Sequence, residues 1–584
     1  MGTSAVDEFA DKVTDDAGML HRVQQAAWTL VWLAILSAGL VYSGSWSAGP
    51  WAVAGALFLV VSAIAGTALV WIEPRWLKSS LQLAGMAMAA TAALITQGTD
   101  IHLRHYVTTD SSAFNQLAAR LLWEGHNPYT SSMAPASQLF AHASSSWTYR
   151  LDGGHALGVS YPAGSFLLQV PLQALGVHHM TSDWLDLAAW ILTAGLVFFM
   201  LPTALRWVSP MLLLTGIYLG GFANGGTDAL FLPFLVIAVW RWDRYPGRAV
   251  AWLPAWVGPA ALGVACSIKQ SPWFCVPFLV AGVTLVARRQ GVRPFGVASR
   301  YLSVVVAAFL VVNLPFVVAA PGAWLRGVLL PMVDPLVPDG QGVVALATHG
   351  ITGGVVPMWL SLAGALAACA LLVAFVAWPA RLHRAWLFVL PLPLALPARS
   401  LSNYLLDLAP AAIVAAISVG PWEATDEAGM SMRPRASSTR WRLAGAIVLG
   451  LGAAAAVATV LGVTSAPLRV AVGPIRAAGD PSSPNPMKWR TVVVSVTNDA
   501  GAPLHPRFMI ASGGGHPGGF WGADLRRGQD PIPAGATSVF ALHPTTTTWT
   551  PTHGQGWLVL AYTTAPSAVS TSGRQVWQLG KALQ

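Results

Sequence analysis

The chain alternates long apolar blocks with short polar connections. Runs at 26–45, 51–72, 80–97, 185–205, 226–240, 250–268, 271–287, 301–320, 353–378, 385–398, 402–419 and 443–464 predict spanning helices, because about 20 apolar residues cover the hydrocarbon of a bilayer. Two shorter runs, 162–177 and 208–223, also qualify. Beyond residue 466 the pattern changes to short alternating runs: Thr491 to Val496, Phe508 to Ala511, Val539 to Leu542, Trp557 to Tyr562 and Gln575 to Leu579. Thr, Ser, Gly and Pro punctuate them, which is the signature of strands and turns. The expected fold is a polytopic α-helical membrane protein followed by a small all-β sandwich.

Composition agrees with the pattern. Of 584 residues 54% are hydrophobic and 10% charged, against about 25% charged in soluble domains. A soluble enzyme is thereby excluded, and so are disordered, collagen-like and coiled-coil chains. The net charge of +9 rests mostly on Arg, since lysine occurs only at 12, 78, 269, 488 and 581. No basic run is interleaved with aromatics, so no nucleic-acid partner is expected and the cations are read as topology signals. Four basic loops stand out: Arg75 with Lys78; Arg241, Arg244 and Arg248; Arg288, Arg289 and Arg293; Arg433, Arg435, Arg440 and Arg442.

If all four face the cytoplasm, only one of the two short runs spans, giving about 13 helices. The other is re-entrant or interfacial. The resulting organisation is a cytoplasmic segment 1–25, three helices in 26–97, an external loop 98–184, a membrane core 185–420, a cytoplasmic basic loop 421–442, a last helix 443–464 and an external β-domain 465–584. Asp7, Glu8, Asp11, Asp15 and Asp16 precede the first full-length span in place of a basic n-region, so the first helix is expected to stay as an uncleaved anchor. Cys266, Cys275 and Cys369 lie in apolar stretches without metal-ligand spacing and read as packed thiols.

The segment from residue 98 carries the densest reactive chemistry. Asp110, Ser111 and Ser112 precede Phe114, Leu117, Ala118, Leu121 and Leu122, spaced as one face of a helix. This predicts an amphipathic helix on the membrane surface with Asp110 at or near its N-cap, stopped at Gly125. Asp110 either caps this helix or also serves as a general base. Lys269 is the lone lysine among the membrane runs; it either snorkels from a helix end or neutralises an anion. Arg399, between two helices on the expected outer side, is a second anion candidate. Arg104, His105, His102 and Arg150 lie in the external loop, and Asp228 faces a choice between a substrate hydroxyl and a buried pair. No metal site is recognisable, and a divalent ion is left open. Trp489, Trp549, Trp557 and Trp577, with Phe520 and Trp521 after the 513–519 glycine-rich run, either fill a sandwich core or stack on sugars.

Asp110, then a helix ending Gly125-x-x-Pro128-Tyr129, then Tyr161-Pro162-x-Gly164 opening an apolar run, resembles the polytopic glycosyltransferases of the GT-C superfamily, the family 87 mannosyltransferase type in particular. Asn224-Gly225-Gly226-Thr227-Asp228 and Lys269-Gln270-Ser271-Pro272 are similar to later landmarks of that family, so the resemblance covers roughly residues 98–420. It implies a polyprenyl-phosphate sugar donor, mannose first and arabinofuranose next, with inversion at the anomeric carbon. It also implies a glycan or glycolipid acceptor on the outer face of a bacterial inner membrane, and no tightly bound cofactor. Asp110 is then the base, with Asp100 as the alternative acid. Lys269, Arg399, Arg104 and His105 hold the donor phosphate, and Tyr129, Tyr161, Asp228, Asn403, Tyr404 and Asp100 touch substrate. The rival function is a transporter or flippase of an envelope precursor, although no internal repeat of the kind such folds show is visible. A non-catalytic scaffold is a second rival.

Overall fold

A computed structural model describes residues 4–43, 50–72, 78–104, 106–140, 147–219, 227–245, 254–401, 406–420, 422, 438–478, 488–512, 519–545 and 556–576. His105, Asn403, Tyr404, residues 224–226 and 513–518, Trp549 and Trp577 lie outside them.

Eight helices among the described residues are long and apolar enough to cross a membrane: His21–Tyr42, Val53–Ile72, Ser79–Leu103, Thr181–Met200, Ser271–Arg289, Pro294–Ala319, Pro357–Ala377 and Trp441–Thr464. The chain is a multi-pass helical membrane protein with β-structure in its C-terminal region. Several expected spans take shorter forms. Residues 226–240 supply the helix Leu232–Val239, 402–419 the helix Ala409–Ser418, and 385–398 two single turns, Trp386–Val389 and Pro391–Leu394. The short runs form Gly164–Leu167 with Val170–Ala174, and Val208–Leu219. Proline accounts for much of this, because Pro171, Pro391 and Pro393 each remove a helix donor and favour a new start.

The chain divides into two compact units. The first comprises Met1–His126, Pro162–Leu314 and Pro410–Gly420. Its first three helices are α1 (Ser4–Ser43), α2 (Pro50–Ile72) and α3 (Lys78–Leu103). Helix α1 thus begins well before the expected span. The indoles of Trp28 and Trp32 on α1 lie over Gly85 of α3 and Gly66 of α2, where a side chain would collide with the rings. Small residues permit such close packing without any hydrophobic drive between helices. The Tyr42 hydroxyl donates to Thr99 Oγ1 at 2.6 Å, joining α1 to α3.

The second unit comprises Asn127–Tyr161, Pro315–Ala409 and Pro421–Gln584. All five predicted strands are present, as parts of β5 (Lys488–Asn498), β6 (Arg507–Ser512), β8 (Thr537–His543), β9 (Gly556–Thr564) and β11 (Gln575–Val576). Unforeseen strands are β4 (Leu468–Ala478), β7 (Gly522–Arg527) and β10 (Ser567–Thr571), with the short pieces β1 (Asp339–Gly340), β2 (Gly354–Val355) and β3 (Arg399–Ser400). One sheet runs β4-β5-β8-β7; in the other, β9 lies between β6 on one edge and β10 with β11 on the opposite edge. Antiparallel pairing of Val355 with Val569 brings β2, from a connection between helices, into this second sheet. The sandwich therefore does not close on the tail alone.

Strand β9 explains the mixed pattern of its sequence. Trp557, Val559 and Ala561 face the sandwich core with Phe508, Ile510 and Phe540, whereas Leu558, Leu560 and Tyr562 pack with Tyr149, Val344, Val355 and Leu360. A strand buried on both faces needs a continuous apolar run. Trp521 and Trp557 are buried in that core, so these tryptophans fill the sandwich and do not present a sugar-stacking face.

Candidate active site

Helix α4 spans Asp110–Trp123. The N-cap is Thr109, the residue before Asp110: its side chain accepts from the Ser112 N–H at 3.1 Å. Asp110 occupies the first turn, half-buried, with Oδ1 accepting from the Ser111 N–H at 2.7 Å. At the other end Gly125, with φ of 84°, allows His126 N–H to reach Leu121 O at 2.8 Å and Gly125 N–H to reach Leu122 O at 3.0 Å. These are the paired bonds of a Schellman stop.

The expectation of a surface helix is corrected. Residues Ser112 to Ala119 are all buried, the polar Ser112, Asn115 and Gln116 included. The reason is visible in their partners. Ser112 Oγ donates to Asp183 Oδ2 at 3.1 Å, and Ser165 Oγ donates to Asn115 Oδ1 at 2.8 Å. Gln116 Oε1 accepts from the Thr181 N–H at 3.1 Å. Thr181 Oγ1 donates to Gln169 Oε1 at 2.8 Å, and Gln169 Nε2 to Ser182 Oγ at 3.0 Å. Polar side chains removed from water must be satisfied by one another, and here they join α4 to the turn 162–169 and to the start of Thr181–Met200.

Two carboxylates that the sequence reading missed organise the centre of this network. Asp183 is fully buried, with Arg104 Nη2 at 3.7 Å; Arg104 Nε also holds Asp100 Oδ2 at 3.0 Å, one helical turn back. Asp186 is buried one turn further along the same helix and accepts from the backbone N–H groups of Thr227 and Ala229. Thr227 there adopts a φ of 62°, a left-handed conformation rare for a β-branched residue. The turn so anchored presents Asp228 to Lys269, and the two form a buried ion pair. Lys269 follows the helix Val257–Ile268, which Gly164 approaches so closely that a Cβ would lie 2.6 Å from the Ser267 carbonyl oxygen.

The charge balance matters for ligand choice. Among the described residues, Asp100 and Asp183 stand beside Arg104, and Asp186 and Asp228 beside Lys269. An anion beside Lys269 would meet the Asp228 and Asp186 carboxylates as well, so this lysine is already committed to a network that holds more acids than cations. The arrangement suits hydroxyl-rich or protonated groups better than a phosphate.

The other candidates lie in the second unit. The Tyr129 hydroxyl donates to the Tyr161 carbonyl at 2.8 Å, and its ring sits edge-on to Phe316. Burial raises its pKa well above the ordinary value. Arg399 donates from Nη1 to Val337 O at 3.2 Å and from Nη2 to Thr148 Oγ1 at 3.3 Å; both acceptors are neutral. Arg150 pairs with Asp334 at 2.9 Å and Asp152 at 3.2 Å. Among the described residues no group of three or more His, Cys, Asp or Glu is placed to hold a metal ion.

No family model, curated protein or solved structure matches the chain.

Proposed function

We propose that the protein is an integral-membrane inverting glycosyltransferase of GT-C type. It transfers a monosaccharide, mannose or next arabinofuranose, from a polyprenyl-phosphate donor to a cell-envelope glycan or glycolipid at the outer face of a bacterial inner membrane. The observation that carries this reading is the meeting, within one compact unit, of three motifs far apart in sequence. Ser165 after Tyr161-Pro162-x-Gly164 bonds the helix that Asp110 opens, and Gly164 packs on the segment that ends in Lys269.

In this reading Asp110 takes the proton of an acceptor hydroxyl. The acceptor oxygen attacks the anomeric carbon from the face opposite the phosphate, the carbon–oxygen bond to phosphate breaks, and polyprenyl phosphate leaves with the bonding pair. Asp110 suits the task because its half-exposed carboxylate is held at the start of a buried helix. Asp183 and Arg104 position that helix through Ser112. Arg399 donates to two neutral acceptors, so its charge is not balanced by either of them and suits an anionic group.

A transporter of a lipid-linked precursor is the second reading, favoured by the buried Asp183, Asp186, Asp228 and Lys269 of a membrane-spanning unit. Purified protein incubated with labelled polyprenyl-phosphate mannose or arabinose separates the two. The first reading requires label joined covalently to an acceptor, the second movement without bond formation.

A further inference from the structure

A second site lies beside Arg241, a residue of one of the basic loops. The helix Leu232–Val239 ends at Trp240, and a cavity of about 40 Å³ opens beside it, lined by Trp240, Arg241, Trp242, Tyr245, Val257 and Tyr301. At about 10–15 Å³ per water this holds roughly three waters, enough for the oxygens of one phosphate group.

Three features distinguish it from an accidental gap. Arg241 has a φ of 52°, a conformation costly for a non-glycine residue and frequent at ligand clamps; its N–H donates to Ser418 Oγ at 3.0 Å, which secures the turn. The Tyr301 hydroxyl is fully buried and makes no hydrogen bond, although an unsatisfied buried hydroxyl is expensive. Cations converge on the aromatic wall, with the Arg241 guanidinium 5.0 Å from the Trp240 ring and that of Arg300 5.7 Å from the Tyr245 ring. The nearby carboxylate, Asp243, is engaged by the Gly420 N–H at 3.1 Å.

We propose that this cavity binds the phosphate head group of a membrane lipid, with Tyr301 donating to a phosphate oxygen and Arg241 supplying the countercharge. Ile237, Val257 and Pro259 form the apolar wall along which a chain can run. Aromatic and Arg side chains at the edge of the hydrocarbon suit a ligand that is charged at one end and apolar at the other. The inference is independent of the glycosyltransferase reading.

The test is native mass spectrometry of the delipidated full-length protein titrated with phosphatidylglycerol, polyprenyl phosphate, dioleoylglycerol and inorganic phosphate. The wild type is expected to retain one phosphate-bearing lipid, and Tyr301→Phe and Arg241→Asn to bind it at least tenfold more weakly. Asn is chosen because it tolerates the left-handed backbone. Preference for phosphatidylglycerol identifies a bulk phospholipid and preference for polyprenyl phosphate a carrier lipid; both support the site. Equal binding by all three proteins, or binding of dioleoylglycerol or inorganic phosphate as tight as that of the lipids, overturns it. Lipid-free Tyr301→Phe should unfold no earlier than wild type, because the hydroxyl it lacks has no partner to lose.

Discussion

The Ser112 hydroxyl donates to the Asp183 carboxylate at 3.1 Å, and both side chains are fully buried. This bond ties the helix that Asp110 opens to the first turn of a spanning helix. Asp183→Ala should leave Arg104 and Ser112 without that partner and cost about 3 kcal/mol, as breaking a buried charged pair does. Asp183→Asn, which keeps an acceptor for Ser112, should lose less. Thermal unfolding of the two variants in detergent checks the order.

Asp228 and Lys269 should behave as a pair. Lys269→Met and Asp228→Asn each strand a buried charge and are expected to cost about 3 kcal/mol. The double variant should be less unstable than the sum of the two. Strict additivity in a double-mutant cycle would contradict the ion pair.

Gly164→Ala places a methyl group 2.6 Å from the Ser267 carbonyl oxygen. The backbone cannot yield there without moving the chain toward Lys269, so a loss of about 1–3 kcal/mol is expected. A stability equal to wild type would show that the two segments are not in contact.

Tyr129 and Tyr562 give a pH test. Burial raises both phenols above the ordinary range, so the unfolded chain ionises first and stability should fall as pH rises above about 10. Either Phe variant should flatten that fall. At neutral pH they should differ: Tyr129→Phe loses its bond to the Tyr161 carbonyl, about 1 kcal/mol. Tyr562→Phe removes a buried hydroxyl without a hydrogen bond and should cost close to nothing.

Much of this was legible from pattern. The Gly125 stop and five strands follow from local rules that tertiary structure left standing. The burial of α4 did not follow, because Ser112, Asn115 and Gln116 look like a wet face until their partners at 165, 181 and 183 are known. Asp183 and Asp186 were overlooked for a similar reason: they sit at the edge of an apolar run, where an acid reads as loop. Strand β9 was recognised, but its double burial depends on Val355 and Tyr149, hundreds of residues away.

The most direct measurement compares sugar transfer from polyprenyl-phosphate mannose and arabinose by wild type and Asp110→Asn, at equal amounts of folded protein. Thr109 caps the helix, so the substitution should leave folding nearly intact, while loss of the base should slow transfer about 10²- to 10⁴-fold. Equal rates in the two proteins would contradict Asp110 as the base, and no transfer by either would contradict the proposed reaction for these donors.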